Sequence, residues 1–162
     1  MKPKIFLLLS LLALFASCVK KPGSYPPEPQ IYYQTMTPNV VNLKDTAAGV
    51  LIELKFTDGD GDIGRDQSQA VQSVFLRDSR DTSTSVDYTF THPFPFIGDD
   101  MRPEDGGLEG FITLKLGKGY FNISDSLHAA LGKDTLHWDI YIKDEAGHKS
   151  NVVSTGPIYI EL

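Results

Sequence analysis

Apolar side chains recur at every second position in four segments of this chain, which is the period of a β-strand with one buried face. The clearest is GVLIELKFT, residues 49–57, in which one side is apolar and the other is mostly polar. Similar alternation occurs in residues 110–116, 135–143 and 158–162. Because an apolar strand face must be covered, we expect these segments to pack against one another.

Weaker candidates bring the predicted number of strands to about seven. They are residues 31–34, 40–43, 73–78 and 86–91. Only residues 124–132 look helical, with Ser124 as the N-cap and Gly132 as the C-terminal stop. This order predicts an all-β fold, an antiparallel β-sandwich with one short helix, and the immunoglobulin-like topology is the favoured form. The inter-sheet disulfide typical of antibody domains is absent, because the one cysteine is Cys18.

The N-terminus has the features of an export signal. Lys2 and Lys4 precede an apolar run of 11 residues, 5–15, which is too short to span a hydrocarbon core of about 30 Å. The stretch LFASC that ends at Cys18 resembles the lipobox of bacterial lipoproteins, in which the cysteine is acylated and becomes the mature N-terminus. We therefore predict that residues 1–17 are a lipoprotein signal peptide; an ordinary secretory signal with an incidental cysteine is the alternative.

The mature chain is predicted to have two parts, a lipidated and proline-rich tether at residues 18–30 and a β-sandwich domain at residues 31–162. Four prolines within residues 19–30 favour an extended, stiff conformation. Removal of the signal peptide leaves 13 basic and 21 acidic residues, a net charge of −8. That balance argues against a nucleic-acid partner, which requires basic surface.

Three aspartates, Asp58, Asp60 and Asp62, alternate with glycines in the stretch FTDGDGDIG, residues 56–64. Two carboxylates about 4 Å apart repel by about 4 kcal/mol at an effective dielectric constant of about 20. A bound cation would gather such groups, and hard oxygen ligands suit Ca²⁺. The stretch therefore predicts a calcium loop; the alternative is a turn whose carboxylates point into water.

This loop departs from an EF-hand after its first five positions. Ile63 stands at the sixth position, where glycine is needed, and Gln69 stands at the twelfth, where a bidentate glutamate is needed. The segment before the loop alternates with a period of two, so no entering helix is expected. An EF-hand is therefore disfavoured.

Further ligands are expected from the stretch DEAGH, residues 144–148. It comes directly after the strongly alternating strand predicted at residues 135–143. In an immunoglobulin-like sandwich, the loop after the second strand and the loop before the last strand share one end of the domain. Asp144 is therefore the predicted fourth metal ligand, with Glu145 beside it and Asp78 as a weaker candidate. The alternative for Asp144 is a simple turn former.

The DGDGDIG loop, the later DEAGHKSN and the final strand with Thr155, Ile158 and Ile160 resemble small outer-envelope lipoproteins of Bacteroidetes. The resemblance implies an outer-membrane, lipid-anchored location, at the periplasmic face or the cell surface. The basic residues that follow Cys18 favour the periplasmic face. His148 stands where many members of that group have asparagine.

The sequence carries no GxSxG, HExxH or glycine-rich phosphate loop, so we predict that the protein is not an enzyme. The leading hypothesis is a non-catalytic envelope module that binds a partner or supports an assembly, with an envelope protein or a glycan as the partner. The alternative is a carbohydrate-binding or carbohydrate-active accessory protein. Four aromatic residues near the long loop at 92–107 are candidates for stacking on sugars: Tyr88, Phe90, Phe94 and Phe96.

Overall fold

The structure is a computed structural model that describes residues 25–68, 71–83, 87–104, 106–124 and 126–162. The predicted signal peptide, Cys18 and the first part of the tether lie outside the described residues. No helix among the described residues is long and apolar enough to cross a bilayer.

The described residues form ten strands and one short α-helix, α1, at Ser126–Leu131. The strands are β1 (Gln30–Thr37), β2 (Val40–Asn42), β3 (Gly49–Asp58), β4 (Gln72–Asp78), β5 (Phe90–Pro93), β6 (Leu108–Gly117), β7 (Lys133–Leu136), β8 (Trp138–Ile142), β9 (Val153–Ser154) and β10 (Ile158–Glu161). The all-β prediction is confirmed, as is one short helix that ends before Gly132, whose φ of 67° is the left-handed conformation of a helix stop.

The strands form three sheets, with the strand orders β1-β3-β6, β5-β4-β8-β9 and β2-β10-β7. The pairs of the first two sheets are antiparallel, whereas β10 lies antiparallel to β7 and parallel to β2. Ten strands are present, whereas the sequence predicted about seven from eight candidate segments. The two additional strands arise because the short β9 has no clear periodic signal and because one predicted strand is divided in two. The immunoglobulin-like topology stays a prediction.

One hydrophobic core lies between the three sheets, and the period-two residues build it. In β3 the inward side chains are Val50, Ile52, Leu54 and Phe56, and all four are buried. The inward residues of β6, in the same sheet, and of β8, in the four-stranded sheet, belong to the same core. Trp138 at the start of β8 is fully buried, so the apolar alternation predicted the core faces of these strands correctly.

The segment 135–143 is not the single strand that its alternation predicted. Leu136 pairs with Ile158 in one sheet, whereas Trp138 pairs with Asp78 in another. At the junction, the His137 N–H donates a hydrogen bond of 2.9 Å to the Ser79 hydroxyl. Both flanking side chains stay buried through the change of sheet, which is why the sequence pattern does not reveal it.

Asn151 joins the strand that enters the domain to the hairpin after β8. Its Nδ2 group donates to the Ile31 carbonyl at 2.9 Å, and its Oδ1 accepts from the Ile31 N–H at 2.8 Å. The side chain thus acts as a strand partner for the start of β1.

Replacement of Asn151 by alanine is predicted to lower the free energy of unfolding by about 1–3 kcal/mol, because two backbone groups of Ile31 lose their partner. Denaturant unfolding measures the change. Asn39→Ala, at an exposed position, is the control and should change the free energy by less than about 0.5 kcal/mol. Equal stability of the two variants would contradict the assigned role.

Candidate metal centre

The aspartate loop begins inside the core. Asp58 is the last residue of β3, and its side chain is buried with 0% exposure. Five residues later Ile63, also fully buried, returns the chain to the core, and its N–H donates to Asp58 Oδ2 at 3.0 Å. Gly61 and Gly64 have φ angles of 66° and 71°, which a glycine adopts without strain. The loop is therefore anchored at both ends.

The glycines of the loop are needed for close packing as well as for the turn. A Cβ atom added to Gly61 would overlap the carbonyl oxygen of Gly106. At Gly59, an added Cβ atom would overlap the carbonyl oxygens of Tyr25 and Pro26. Two neighbouring segments thus pack closely against the loop. The backbone between the aspartates cannot move outward unless these two segments move as well.

The second contributing segment is the hairpin that follows β8. Asp144 is only 5% exposed, and its Oδ1 accepts a hydrogen bond of 2.7 Å from the His148 N–H. Gly147, with a φ of 91°, occupies the left-handed position of the turn and donates its N–H to the Asp144 carbonyl at 3.2 Å. Asp144 is therefore a turn former, and the turn fixes where its carboxylate points.

The two segments meet at one end of the molecule. One carboxylate oxygen from each of Asp58, Asp60, Asp62 and Asp144 lies within 4.8 Å of the other three. These are the four aspartates that the sequence singled out, and their role as ligands remains a prediction. Asp78 lies elsewhere, in an ion pair of 2.6 Å with Arg80.

The spacing of these oxygens is compatible with a single cation. Calcium binds oxygen at about 2.3–2.6 Å, so two ligands of one ion are at most about 5 Å apart. The four carboxylate oxygens satisfy that limit. The acidic cluster could therefore hold a metal ion.

Two oxygens of the cluster are buried without a donor. Within the described part of the chain, Asp58 Oδ1 and Asp62 Oδ1 have no hydrogen-bond partner, although the second oxygen of each residue accepts one. A buried charged oxygen without a partner costs more than the 1–3 kcal/mol of a neutral polar group. A cation between the aspartates would satisfy both oxygens.

The pKa values of the clustered aspartates reflect the same burial and the repulsion between the carboxylates. Burial is the main reason that the pKa of Asp58 rises from 3.8 to about 7; the nearby charges of Asp60 and Asp62 contribute to the rise, and the hydrogen bond from Ile63 opposes it. Burial also raises the pKa of Asp62, with additional repulsion from Asp144 and Asp60. Without a cation, the folded chain therefore favours a proton on Asp58 near neutral pH.

Arg102, from the long loop at 92–107, binds the backbone of the aspartate loop. Its guanidinium donates to the carbonyl oxygens of Gly61 at 2.5 Å, Ile63 at 3.1 Å and Ile97 at 2.9 Å. Because these carbonyl oxygens point towards Arg102, the carboxylates are the atoms that the loop presents to an ion. The sequence drew attention to this long loop only through its aromatic residues and gave no signal for Arg102 itself.

His148 is the second residue that the sequence reasoning missed. Its Nδ1 lies 2.8 Å from Asp144 Oδ2, and this hydrogen bond raises the pKa of the imidazole. Asp60, Asp144 and His148 also form a second group of potential ligands within 4.8 Å. The four histidines share no metal-binding spacing in the sequence, so only the hairpin geometry reveals this contact.

The four aromatic residues proposed for sugar stacking do not form one exposed surface. Phe96 is the exposed member. The other three pack on neighbouring rings, Phe94 on Phe56, Phe90 on Trp138 and Tyr88 on Phe75.

No protein-family model, curated protein or solved structure matches the chain. The resemblance to envelope lipoproteins therefore rests on the sequence motifs alone.

The metal-free protein is predicted to lose stability as the pH rises from about 4 to about 7. In this window the unfolded chain releases the Asp58 proton, with its ordinary pKa of 3.8, while the folded chain keeps it up to about 7. Unfolding is thereby favoured, by a few kcal/mol in total. His148 adds a loss of the same sign above its ordinary pKa of 6.5, because its folded pKa is raised.

Denaturant unfolding in EDTA across this pH range measures the slope. Asp58→Asn should remove most of it, whereas Asp100→Asn, an exposed aspartate in the long loop, should leave it unchanged. A wild-type stability that is constant or rises towards pH 7, with no effect of Asp58→Asn, would contradict the assignment.

Proposed function

We propose that this protein is a non-catalytic, lipid-anchored envelope module whose loop end is stabilised by calcium and which serves in binding or assembly. The observation that carries the proposal is the convergence of four aspartates around the buried, unpartnered oxygen of Asp58. A fold that has no metal to bind would gain stability by replacing Asp58 with an apolar residue.

Calcium fits the donor set better than other common cations. The four aspartates offer hard, negatively charged oxygens, and calcium takes six to eight such ligands in flexible geometry. Four carboxylates leave further positions for water or for an oxygen of a partner, on the side where Asp60 is exposed. The smaller group that includes His148 would instead suit zinc or manganese, so the two sets predict different metal preferences.

The raised pKa of Asp58 supports metal binding rather than catalysis. A carboxyl group with a pKa near 7 resembles a general acid, but a general acid must reach its substrate. Asp58 has no exposed surface and lies under the Ile63 N–H. A small ion enclosed by the loop is the ligand that such a group can contact.

The anchor is the predicted acyl group at Cys18. Each buried CH₂ of an acyl chain contributes about 0.8 kcal/mol, so two or more chains would hold the protein firmly. The resemblance to envelope lipoproteins supports an outer-membrane location, and the basic residues Lys20 and Lys21 favour the periplasmic face.

Calcium is predicted to raise the melting temperature of the wild-type protein at neutral pH. If about 1 mM calcium is about a hundredfold above the dissociation constant, the gain is about 2.7 kcal/mol, or on the order of 10 °C. Magnesium should give a smaller shift. A zinc shift that exceeds the calcium shift would favour the group with His148.

Asp58→Asn tests the same site with a side chain of the same size. Its metal-free form should melt at a higher temperature than the metal-free wild type, because a buried charge is gone, and it should lose the calcium response. Asp100→Asn should retain the full response. The calcium proposal fails if calcium leaves the wild-type melting temperature unchanged.

Cys18→Ser is predicted to release the protein from membranes, because serine cannot carry the thioether-linked lipid. Fractionation of cells that express the full chain with its own leader measures the distribution. Ser17→Ala, next to the cysteine, should leave the protein in the membrane fraction. Continued membrane association of the Cys18→Ser variant would refute the anchor.

A further inference from the structure

We propose that the tether is part of the cation site: metal binding at the four aspartates locks residues 25–29 onto the aspartate loop, so that occupancy sets how firmly the domain is held at its N-terminal attachment. This inference rests on the proposed calcium site and adds a mechanical role for it. The buried, unpartnered oxygen of Asp58 is the evidence, independent of the acidic composition, that the cluster takes a ligand.

The first contact between tether and loop is at Gly59. Its N–H donates a hydrogen bond of 2.9 Å to the Pro26 carbonyl. The two backbones are so close that a Cβ atom on Gly59 would overlap both the Pro26 and the Tyr25 carbonyl oxygens. Since Gly59 lies between Asp58 and Asp60, the tether rests on the backbone that joins two of the proposed ligands.

The second contact holds the start of this segment against the neighbouring strand. The Tyr25 hydroxyl donates to a carboxylate oxygen of Glu109. Glu109 is also paired with Lys55 at 2.5 Å, and it lies opposite Thr57 in the ladder between β3 and β6. Tyr25 is therefore fixed to the same end of the sheet from which the aspartate loop emerges.

The third contact ties the end of the tether to the segment that follows the Asp144 hairpin. The Asn151 side chain pairs with both backbone groups of Ile31, the second residue after Pro29. The tether is thus connected to both segments from which the four aspartates come.

This arrangement couples the tether to the ion through the position of Gly59. Four carboxylates within 4.8 Å repel one another, and without a cation the loop gains by spreading apart. When the loop spreads, Gly59 moves relative to Pro26, and the hydrogen bond from the Gly59 N–H to the Pro26 carbonyl weakens. A cation removes the repulsion and favours the converged loop, so it binds more tightly to the state in which the tether is seated.

The coupling has a consequence for how the domain sits on the membrane. Six residues, 19–24, lie between Cys18 and Tyr25, and this stretch of chain spans at most about 25 Å. With residues 25–29 locked, the loop end lies near Tyr25 and therefore close to that distance from the proposed anchor. Release of those residues lengthens the connection.

Hydrogen exchange of the full chain in detergent, read by mass spectrometry, tests the proposal. Calcium should slow exchange of the Gly59 amide at least about tenfold, read by fragmentation of a peptide that covers residues 57–64, because the Gly59 N–H donates to the Pro26 carbonyl only in the converged state. A peptide from β4, in another sheet, should change little. Melting curves recorded on the same samples report calcium binding independently.

Tyr25→Ala separates the tether from the site, because it removes the contact of Tyr25 with Glu109 and leaves the aspartate loop and its four carboxylates unchanged. It should keep a calcium-induced rise in melting temperature and lose most of the calcium-dependent protection of the Gly59 amide. Tyr159→Ala, at an exposed tyrosine of β10, is the matched control. It should behave as the wild type does.

The outcomes distinguish the two proposals. If calcium raises the melting temperature but leaves exchange of the Gly59 amide unchanged, the coupling is wrong and the calcium site stands. Full protection of the Gly59 amide in Tyr25→Ala would also overturn the coupling. If calcium changes neither quantity, both proposals fall.

Discussion

Repulsion among four carboxylates that the backbone forces together is the constraint on which this end of the molecule depends. Asp58 cannot turn away, because it ends a core strand and is covered by the chain that returns at Ile63. Asp144 is held by two contacts with His148. At separations of up to 4.8 Å, each pair costs about 3–4 kcal/mol at an effective dielectric constant of about 20. A proton on Asp58 relieves part of this cost, and a divalent cation relieves much more.

The surrounding structure makes sense as a support for that charge cluster. The Arg102 guanidinium donates hydrogen bonds to backbone carbonyl oxygens of the loop, which leaves the carboxylates near one another on its other side. Gly106 and the tether press on the loop where only glycine fits. A cation would therefore stabilise several chain segments at once, among them the one that leads to the proposed lipid anchor. In the proposed role of an envelope module, a rigid end would give a partner a defined surface.

Much of this architecture was predictable from the sequence. The alternation in residues 49–57 and 110–116 identified the core faces, because burial of alternate side chains is a local property of a strand. The convergence of Asp144 with the aspartate loop was predictable only through an assumed topology. The change of sheet at His137 was not predictable, because Leu136 and Trp138 are both buried and the period is unbroken. Arg102 and His148 were missed because their roles depend on contacts with Gly61 and Asp144 that no spacing in the sequence encodes.

A crystal structure of the protein grown with calcium tests the central claim most directly. The account predicts an ion with anomalous signal, bound at about 2.3–2.6 Å by oxygens of Asp58, Asp60, Asp62 and Asp144. Density at that position that refines only as water, with the aspartate side chains turned outward, would contradict it.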